Sequence, residues 1–365
     1  MNSLYERLRD IDRDYNNNTW WKTDYIHRPL HFTIEGNEIV YPECAIKKTV
    51  EINEKVSNID DLLNIINKYP LTPNVNYTIR MDRLHKIKEP LEKLNKMIGL
   101  HDLKNTIVNQ ILYYIQDLHK ITGNVNTDYM HTILYGKPGT GKTEVAKILA
   151  DIFCRLSVLS NGTFVKATRD DFIAGYLGQT ALKTKELIQR TRGGVLFIDE
   201  AYSLGNEEKR DSFSKEAIDT LNEALSDFRD DWMVIVAGYE KEIRNCLFSY
   251  NPGLESRFIW TYHLDDYNAE ELVDIFKKIL NEQGWGCGDI DITWFREKRE
   301  KYFVGNGRDM EVFAMKCKIA YSRDLFGKKK EEKPIIQMKH IKDAFSLYVK
   351  SNKFDDIQPI HSMYL

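Results

Sequence analysis

Between residues 130 and 265 the apolar positions alternate between two spacings. Continuous apolar runs stand at His131-Thr132-Ile133-Leu134-Tyr135, Val195-Leu196-Phe197-Ile198 and Met233-Val234-Ile235-Val236-Ala237-Gly238. Runs of this kind, closed by glycine or acidic residues, suit strands covered on both faces of a parallel sheet. Gly162–Ala167 and Ile259–Leu264 read as two more strands. Between them apolar residues recur at helical spacing: Val145, Ala146, Ile148, Leu149, Ile152 and Phe153 in one segment, Ile218, Leu221, Leu225 and Phe228 in another, with a further helix over Thr180–Arg190. Strands alternating with helices predict a three-layer αβα domain built on a parallel sheet.

The flanks read differently. Leu91, Leu94, Met97 and Ile98 lead into Gly99, and Leu103, Ile107, Ile111, Leu112 and Ile115 continue at three- and four-residue steps, so residues 84–119 are predicted helical. Beyond Asp266 the pattern is helical again. Asn268 is a good N-cap with Glu271 three residues on, followed by Leu272, Ile275, Phe276 and Leu280. Gly305-Asn306-Gly307-Arg308 precedes a helix through Phe313 to Tyr321, and a last helix runs from about Met338 to Tyr348. This second part predicts a small α-helical lid. Lys328-Lys329-Lys330-Glu331-Glu332-Lys333 reads as a solvated loop.

The first 87 residues lack clear periodicity. His31–Glu35 and Glu38–Tyr41 flank Gly36-Asn37, a two-residue hairpin turn. A short helix follows over Asp60–Tyr69 and a strand over Asn76–Arg80. The reading is a small α+β amino-terminal domain. Its Trp20-Trp21 pair suits either a partner surface or core packing, the latter favoured. The predicted division is 1–87, 88–264 for the α/β domain, 265–350 for the lid and 351–365 for a polar tail.

The chemistry is concentrated at Gly136-Lys137-Pro138-Gly139-Thr140-Gly141-Lys142-Thr143, which fits G-x-x-x-x-G-K-[ST] between a predicted strand and helix. Glycines there let backbone N–H groups close round phosphates at a helix N-terminus. Lys142 is placed to reach the β- and γ-phosphates and Thr143 to hold Mg²⁺. Asp199 and Glu200 end a buried strand, at the ligand-binding edge of an open α/β sheet. Asp199 is expected to act on Mg²⁺ and Glu200 to polarise an attacking water. ATP and Mg²⁺ are thus the expected ligands.

The 365 residues carry a net charge of −3, with 42% hydrophobic and 29% charged residues, as in a globular protein in water. That balance argues against a global nucleic-acid footprint. Five scattered cysteines without a CxxC pair and nine histidines without metal spacing argue against a disulfide framework or zinc site. No apolar run is long enough to span a bilayer, and the first residues do not read as a signal peptide.

Together GKPGTGKT, AGYLGQTALKT, GGVLFIDEAYSL, VIVAGYEKE, NPGLESRF and GNGRD resemble the AAA+ ATPases, and within them the CbxX/CfqX group that includes red-type Rubisco activases. The resemblance covers about residues 88–350 and extends to members encoded by amoebae and large DNA viruses. It implies that Ile98 and Gly99 pack on adenine, and that Tyr176, with Leu177 and Gly178, forms a pore loop gripping a threaded polypeptide. A second pore loop would fall near Gly205–Phe213. Arg257 matches the arginine finger acting on a neighbour's γ-phosphate, Arg308 the sensor-2 arginine and Tyr239 the sensor-1 position, where many AAA+ chains have Asn. An arginine in the first turn of a helix opposes the helix dipole, which favours an anion beside Arg308. The resemblance therefore implies a homo-oligomeric ring, expected to be a hexamer, remodelling a client protein in the cytoplasm (host cytoplasm or virion for a viral chain), without a membrane. The alternatives are a nucleic-acid motor or clamp-loader-like ATPase, and a nucleotide-gated scaffold.

Overall fold

The computed structural model describes residues 33–35, 38–40, 48–73, 75–120, 128–176, 178–205, 211–327 and 334–352. The chain forms two compact units, residues 1–48 with 74–76, and residues 49–73 with 77–365. In the first, β1 (Thr33–Glu35) and β2 (Glu38–Val40) pair antiparallel, Thr33 opposite Val40 and Glu35 opposite Glu38. That register leaves a two-residue connection, as the hairpin reading requires. Gly36-Asn37 and Trp20-Trp21 lie outside the described residues. Two further short strands are β3 (Lys48–Val50) and β4 (Val75–Tyr77).

The second unit is organised on a five-stranded parallel sheet in the order β6-β7-β8-β5-β9, formed by β5 (Thr132–Gly136), β6 (Phe164–Ala167), β7 (Val195–Ile198), β8 (Met233–Gly238) and β9 (Trp260–Leu264). Side-chain alternation splits each continuous apolar run between two cores. Met233, Ile235 and Ala237 face one layer with Leu134 and Phe197, while Val234 and Val236 face the other with Ile133, Leu196 and Ile198. Helix α5 (Lys142–Arg155) covers the first face, and α7 (Thr180–Thr191) and α8 (Ser212–Asp227) the second. Burial on both faces explains why these strands read as unbroken apolar runs.

Among the described residues four α-helices precede the sheet: α1 (Ile59–Lys68), α2 (Met81–Lys86), α3 (Lys88–Asn95) and α4 (His101–Ile115). Asn58 and Asp61 close a capping box on α1. The division drawn near residue 87 does not coincide with the compact units. Ile59, Leu62, Ile65 and Ile66 of α1 are buried in the same cluster as Leu91, Leu94, Val145 and Leu149. The apolar face of α1 finds its cover on α3, which in turn packs on α5. Each such side chain contributes about 1.5–3 kcal/mol when buried. Arg155 of α5 adds an ion pair to Glu89 of α3 at 2.9 Å.

A third cluster holds the lid: α9 (Ala269–Glu282), α10 (Ile292–Tyr302), α11 (Gly307–Leu325) and α12 (Met338–Ser351) around Phe276, Phe295, Phe303, Phe313 and Tyr348. A parallel pair of two-residue strands, β10 (Gly286–Cys287) and β11 (Ile335–Ile336), links the α9–α10 connection to the α11–α12 connection. The charged run 328–333 lies outside the described residues. Among the described residues no helix is long and apolar enough to cross a membrane.

Candidate nucleotide site

Strand β5 delivers Gly136 to the carboxyl edge of the sheet, and Gly139 and Gly141 take left-handed φ values of 75° and 94°. Thr140 Oγ1 donates to the Lys137 carbonyl at 2.8 Å, tightening the turn. Lys142 opens α5, its Nζ 2.7 Å from the carbonyl oxygens of both Gly136 and Lys137. Thr143 follows in the first turn of α5. Burial pushes the Lys142 ammonium below its ordinary pKa, the carboxylates of Asp199 and Glu200 push it back up, and Arg308 lowers it. Asp199, Glu200 and Arg308, all singled out from sequence, thus each act on Lys142.

Asp199 follows β7 directly. Its Oδ2 pairs with Lys166 Nζ at 2.6 Å and its Oδ1 accepts from the Glu200 N–H at 3.1 Å. Glu200 sits at φ 49°, ψ 46°, a left-handed conformation that costs a side-chain-bearing residue about 1–2 kcal/mol. Strain of this kind is concentrated at functional sites. Tyr239, after β8, stands with its ring 6.2 Å from that of Tyr202. Burial, then Glu200, raise the Tyr202 phenol above its ordinary range.

The lid closes directly on the phosphate loop. Gly307 N–H donates to the Gly139 carbonyl at 3.0 Å, and Tyr267 OH donates to the Thr140 carbonyl at 3.0 Å. Gly139 is needed here for close approach, because a Cβ would stand 2.2 Å from the Gly305 carbonyl oxygen. Asn306 is fully buried at φ 55°. Its amide donates to Asp266 at 3.0 Å, and its carbonyl accepts from Tyr267 N–H at 3.1 Å and Arg299 at 3.2 Å. Asp266 also pairs with Lys137 at 2.5 Å. Burial raises the Asp266 carboxyl, but hydrogen bonds from Lys137 and Asn306 with the charges of Lys137 and Arg299 hold it below the usual range. The Lys137 side chain is therefore engaged at the hinge. Tyr267, Asp266, Arg299 and Asn306 had no assigned role in the sequence reading. A glycine-flanked Asn306 was the one available signal.

Ile98 and Gly99 lie on the same side. Gly99 and Leu100 have φ values of 64° and 59°, and Tyr267 and Glu271 face Gly99. Lys104 Nζ fixes the preceding turn through the Met97 carbonyl at 2.6 Å. The Met97 methyl reaches Gly141. A cleft lined by Leu100, His101, His263, Asp266, Tyr267 and Glu271 opens beside it.

Arg257 is not brought to this edge. β9 pairs with β5 from Trp260 opposite Thr132 to Leu264 opposite Gly136, so Arg257 lies before the start of the strand whose far end meets the phosphate loop. Four steps of about 3.3 Å separate the ends of the strand by about 13 Å. There Arg257 Nε donates to Ser226 at 2.8 Å and Nη1 to the Gly253 carbonyl. Tyr176 is 74% exposed, beside Gly178 at φ 82°. Leu177 and residues 206–210 of the second expected pore loop lie outside the described residues.

The residues fit a nucleotide with its metal. Two left-handed glycines at the amino end of a 14-residue helix form an anion cradle. One hydroxyl and one carboxylate, Thr143 and Asp199, suit Mg²⁺, which binds through few protein groups plus phosphates.

Comparison with known proteins agrees. Residues 132–257 match the ATPase family associated with various cellular activities. The chain is 35% identical over 314 residues to a putative cfxQ-like protein of Acanthamoeba polyphaga mimivirus, covering 84% of this chain and 76% of that protein. It is 33% identical over 248 residues to the chloroplastic ribulose bisphosphate carboxylase/oxygenase activase of Cyanidioschyzon merolae, covering 66% and 84%. In fold it is similar to the FIGL-1 AAA domain solved with ADP, with TM-score 0.51 and 18% identity over 71% of this chain and 86% of that one. This chain belongs to the CbxX/CfqX (CfxQ-like) family of AAA+ ATPases and is an ATP-hydrolysing enzyme.

Proposed function

We propose that the protein is an ATP-driven remodelling machine working as a homo-oligomeric ring, a hexamer, that threads a client polypeptide. The observation that carries this reading is the place of Arg257 at the end of the sheet opposite its own phosphate loop, where it is held by Ser226 and Gly253. An arginine so placed serves a neighbour's nucleotide. A cation supplied to the γ-phosphoryl group in trans is worth on the order of 10³–10⁵ in rate and makes hydrolysis depend on assembly.

In this reading the backbone of Gly136–Thr143, with Lys142, holds the phosphates of ATP, and Ile98 and Gly99 receive the adenine. Thr143 and Asp199 would hold Mg²⁺, which neutralises phosphate charge when bound. Glu200 takes a proton from the attacking water, oriented by the Tyr202–Tyr239 side of the site. Arg308 faces Lys142 from the lid and senses the γ-phosphate. Tyr176 grips the client. The name of the Cyanidioschyzon merolae relative points to a protein client there; for this chain we infer a protein client without assigning Rubisco.

The experiment uses Glu200→Gln, which should bind ATP without clearing it. Its mass in solution is measured with and without ATP, and the proteins retained on the trapped form are identified. A ring that retains a polypeptide, with retention lost in Tyr176→Ala, supports the reading. A ring retaining nucleic acid alone would move the assignment to a nucleic-acid motor, and a monomer under all conditions would remove the trans role of Arg257.

A further inference from the structure

Arg169 opens the single turn α6 (Arg169–Phe172) directly after β6. Its guanidinium ties three segments together. Nη1 donates to the carbonyls of Ser203 at 2.8 Å and Leu204 at 3.1 Å and to Ser214 Oγ at 2.9 Å. Nη2 pairs with Asp211, which also caps α8 by accepting from the N–H groups of Phe213 and Ser214. The nucleotide site described above does not use Arg169.

The two carbonyls belong to Ala201–Leu204, the turn that begins at Glu200. This turn is also pinned from its other side. Gly205 lies so close to Cys246 that a Cβ would stand 1.8 Å from the Cys246 carbonyl oxygen. Cys246 is in the π-helical turn Ile243–Leu247, just beyond Tyr239. In the other direction α6 runs into the base of the Tyr176 loop. That base is closed by Lys183 Nζ on the carbonyls of Asp170 (2.5 Å) and Ile173 (2.9 Å), and by Ala174 N–H on Thr180 Oγ1 at 3.2 Å. The loop therefore has a fixed base and an exposed tip.

We propose that Arg169 is a positioning residue that transmits changes at Glu200 to the Tyr176 loop. The inference rests on the reading of Tyr176 as the client-gripping residue. A planar guanidinium bonded to two consecutive carbonyls and a carboxylate cannot follow one partner and release the others without losing aligned hydrogen bonds. When the Glu200 turn moves, α6 and the closed base of the loop move with it. A lysine at this position supplies one point charge but no planar fork to hold the carbonyl pair on one nitrogen and Asp211 on the other.

The test is amide hydrogen exchange of the 365-residue chain with and without ATP and Mg²⁺, read over residues 136–143 and 174–180. The parent should show ATP-dependent slowing in both segments. Arg169→Lys and Arg169→Met should keep the slowing at 136–143 while the response at 174–180 falls by about fivefold or more. The KM for ATP should stay near the parent value. Asp211→Asn, which retains the capping oxygen and removes the charge, decides the matter should Arg169→Met fail to fold: a weakened response at 174–180 supports the relay. A full response at 174–180 in the folded variants overturns the relay and leaves the functional reading standing. Protection at 136–143 of the parent without any response at 174–180 overturns both.

Discussion

The backbone N–H of Gly307 meets the carbonyl oxygen of Gly139 at 3.0 Å, joining the lid to the phosphate loop main chain to main chain. If ATP binds this loop as proposed, nucleotide occupancy and lid position share one contact. Gly139→Ala adds left-handed strain of about 1–2 kcal/mol and puts a methyl group into the Gly305 carbonyl. The expected result is a thermal midpoint lower by several degrees and at least about tenfold weaker ATP binding, with the larger effect on binding. Calorimetry and nucleotide titration measure the two. Unchanged affinity would show that the lid contact is dispensable for binding.

Glu200 combines a strained backbone with the proton-accepting role proposed for it. Asn tolerates the left-handed region better than Glu. Glu200→Asn is therefore predicted to raise the thermal midpoint by about 1–3 °C while lowering ATP turnover by about 10²–10⁴. ATP affinity should be unaffected. A variant both less stable and fully active would contradict both parts of the assignment.

His131 supplies a pH-dependent element. It is completely buried, its Nδ1 accepts from Val234 N–H at 3.1 Å, and Nε2 donates to the Leu225 carbonyl at 3.0 Å. Burial, reinforced by the Arg257 charge, lowers its pKa from 6.5 to about 4. The unfolded chain thus binds a proton between those values that the folded chain excludes. The stability is fully present above pH 6.5 and is lost as pH falls toward 4, on the order of 3 kcal/mol in all. Denaturant melts at pH 7 and pH 5 should show this loss, and His131→Gln should flatten it. An equal pH dependence in the variant would place the acid lability elsewhere.

The parts legible in sequence were those with local spacing. Gly136–Thr143 spells the phosphate-loop pattern in eight consecutive residues, and the runs ending in Asp199 and Gly238 declare two-sided burial by composition. Asn306 and Tyr267 were not legible as P-loop contacts, because their partners on that loop, Pro138 and Thr140, lie 168 and 127 positions away and no periodicity encodes such a contact. The two-residue strands Gly286–Cys287 and Ile335–Ile336 are too short to show alternation. Helix α1 was recognised, but its amphipathic face does not say which neighbour covers it, and the cover proved to be α3.

The trans role of Arg257 gives the sharpest prediction. Arg257→Ala alone should lose about 10³-fold or more of ATP turnover, and Glu200→Gln alone about 10²–10⁴-fold. Each variant retains what the other lacks. In a mixed ring, a subunit with intact Glu200 can sit beside a neighbour with intact Arg257. At equal mixing about a quarter of the interfaces have that pairing, so turnover should recover toward about a quarter of the parent value. An arginine acting within its own subunit allows no such recovery, because every chain in the mixture is then defective. Turnover measured across a mixing series, with exchange of subunits checked by mass, separates the two. A flat series despite confirmed exchange would return Arg257 to a structural role at Ser226 and Gly253 and would leave assembly without its proposed part in hydrolysis.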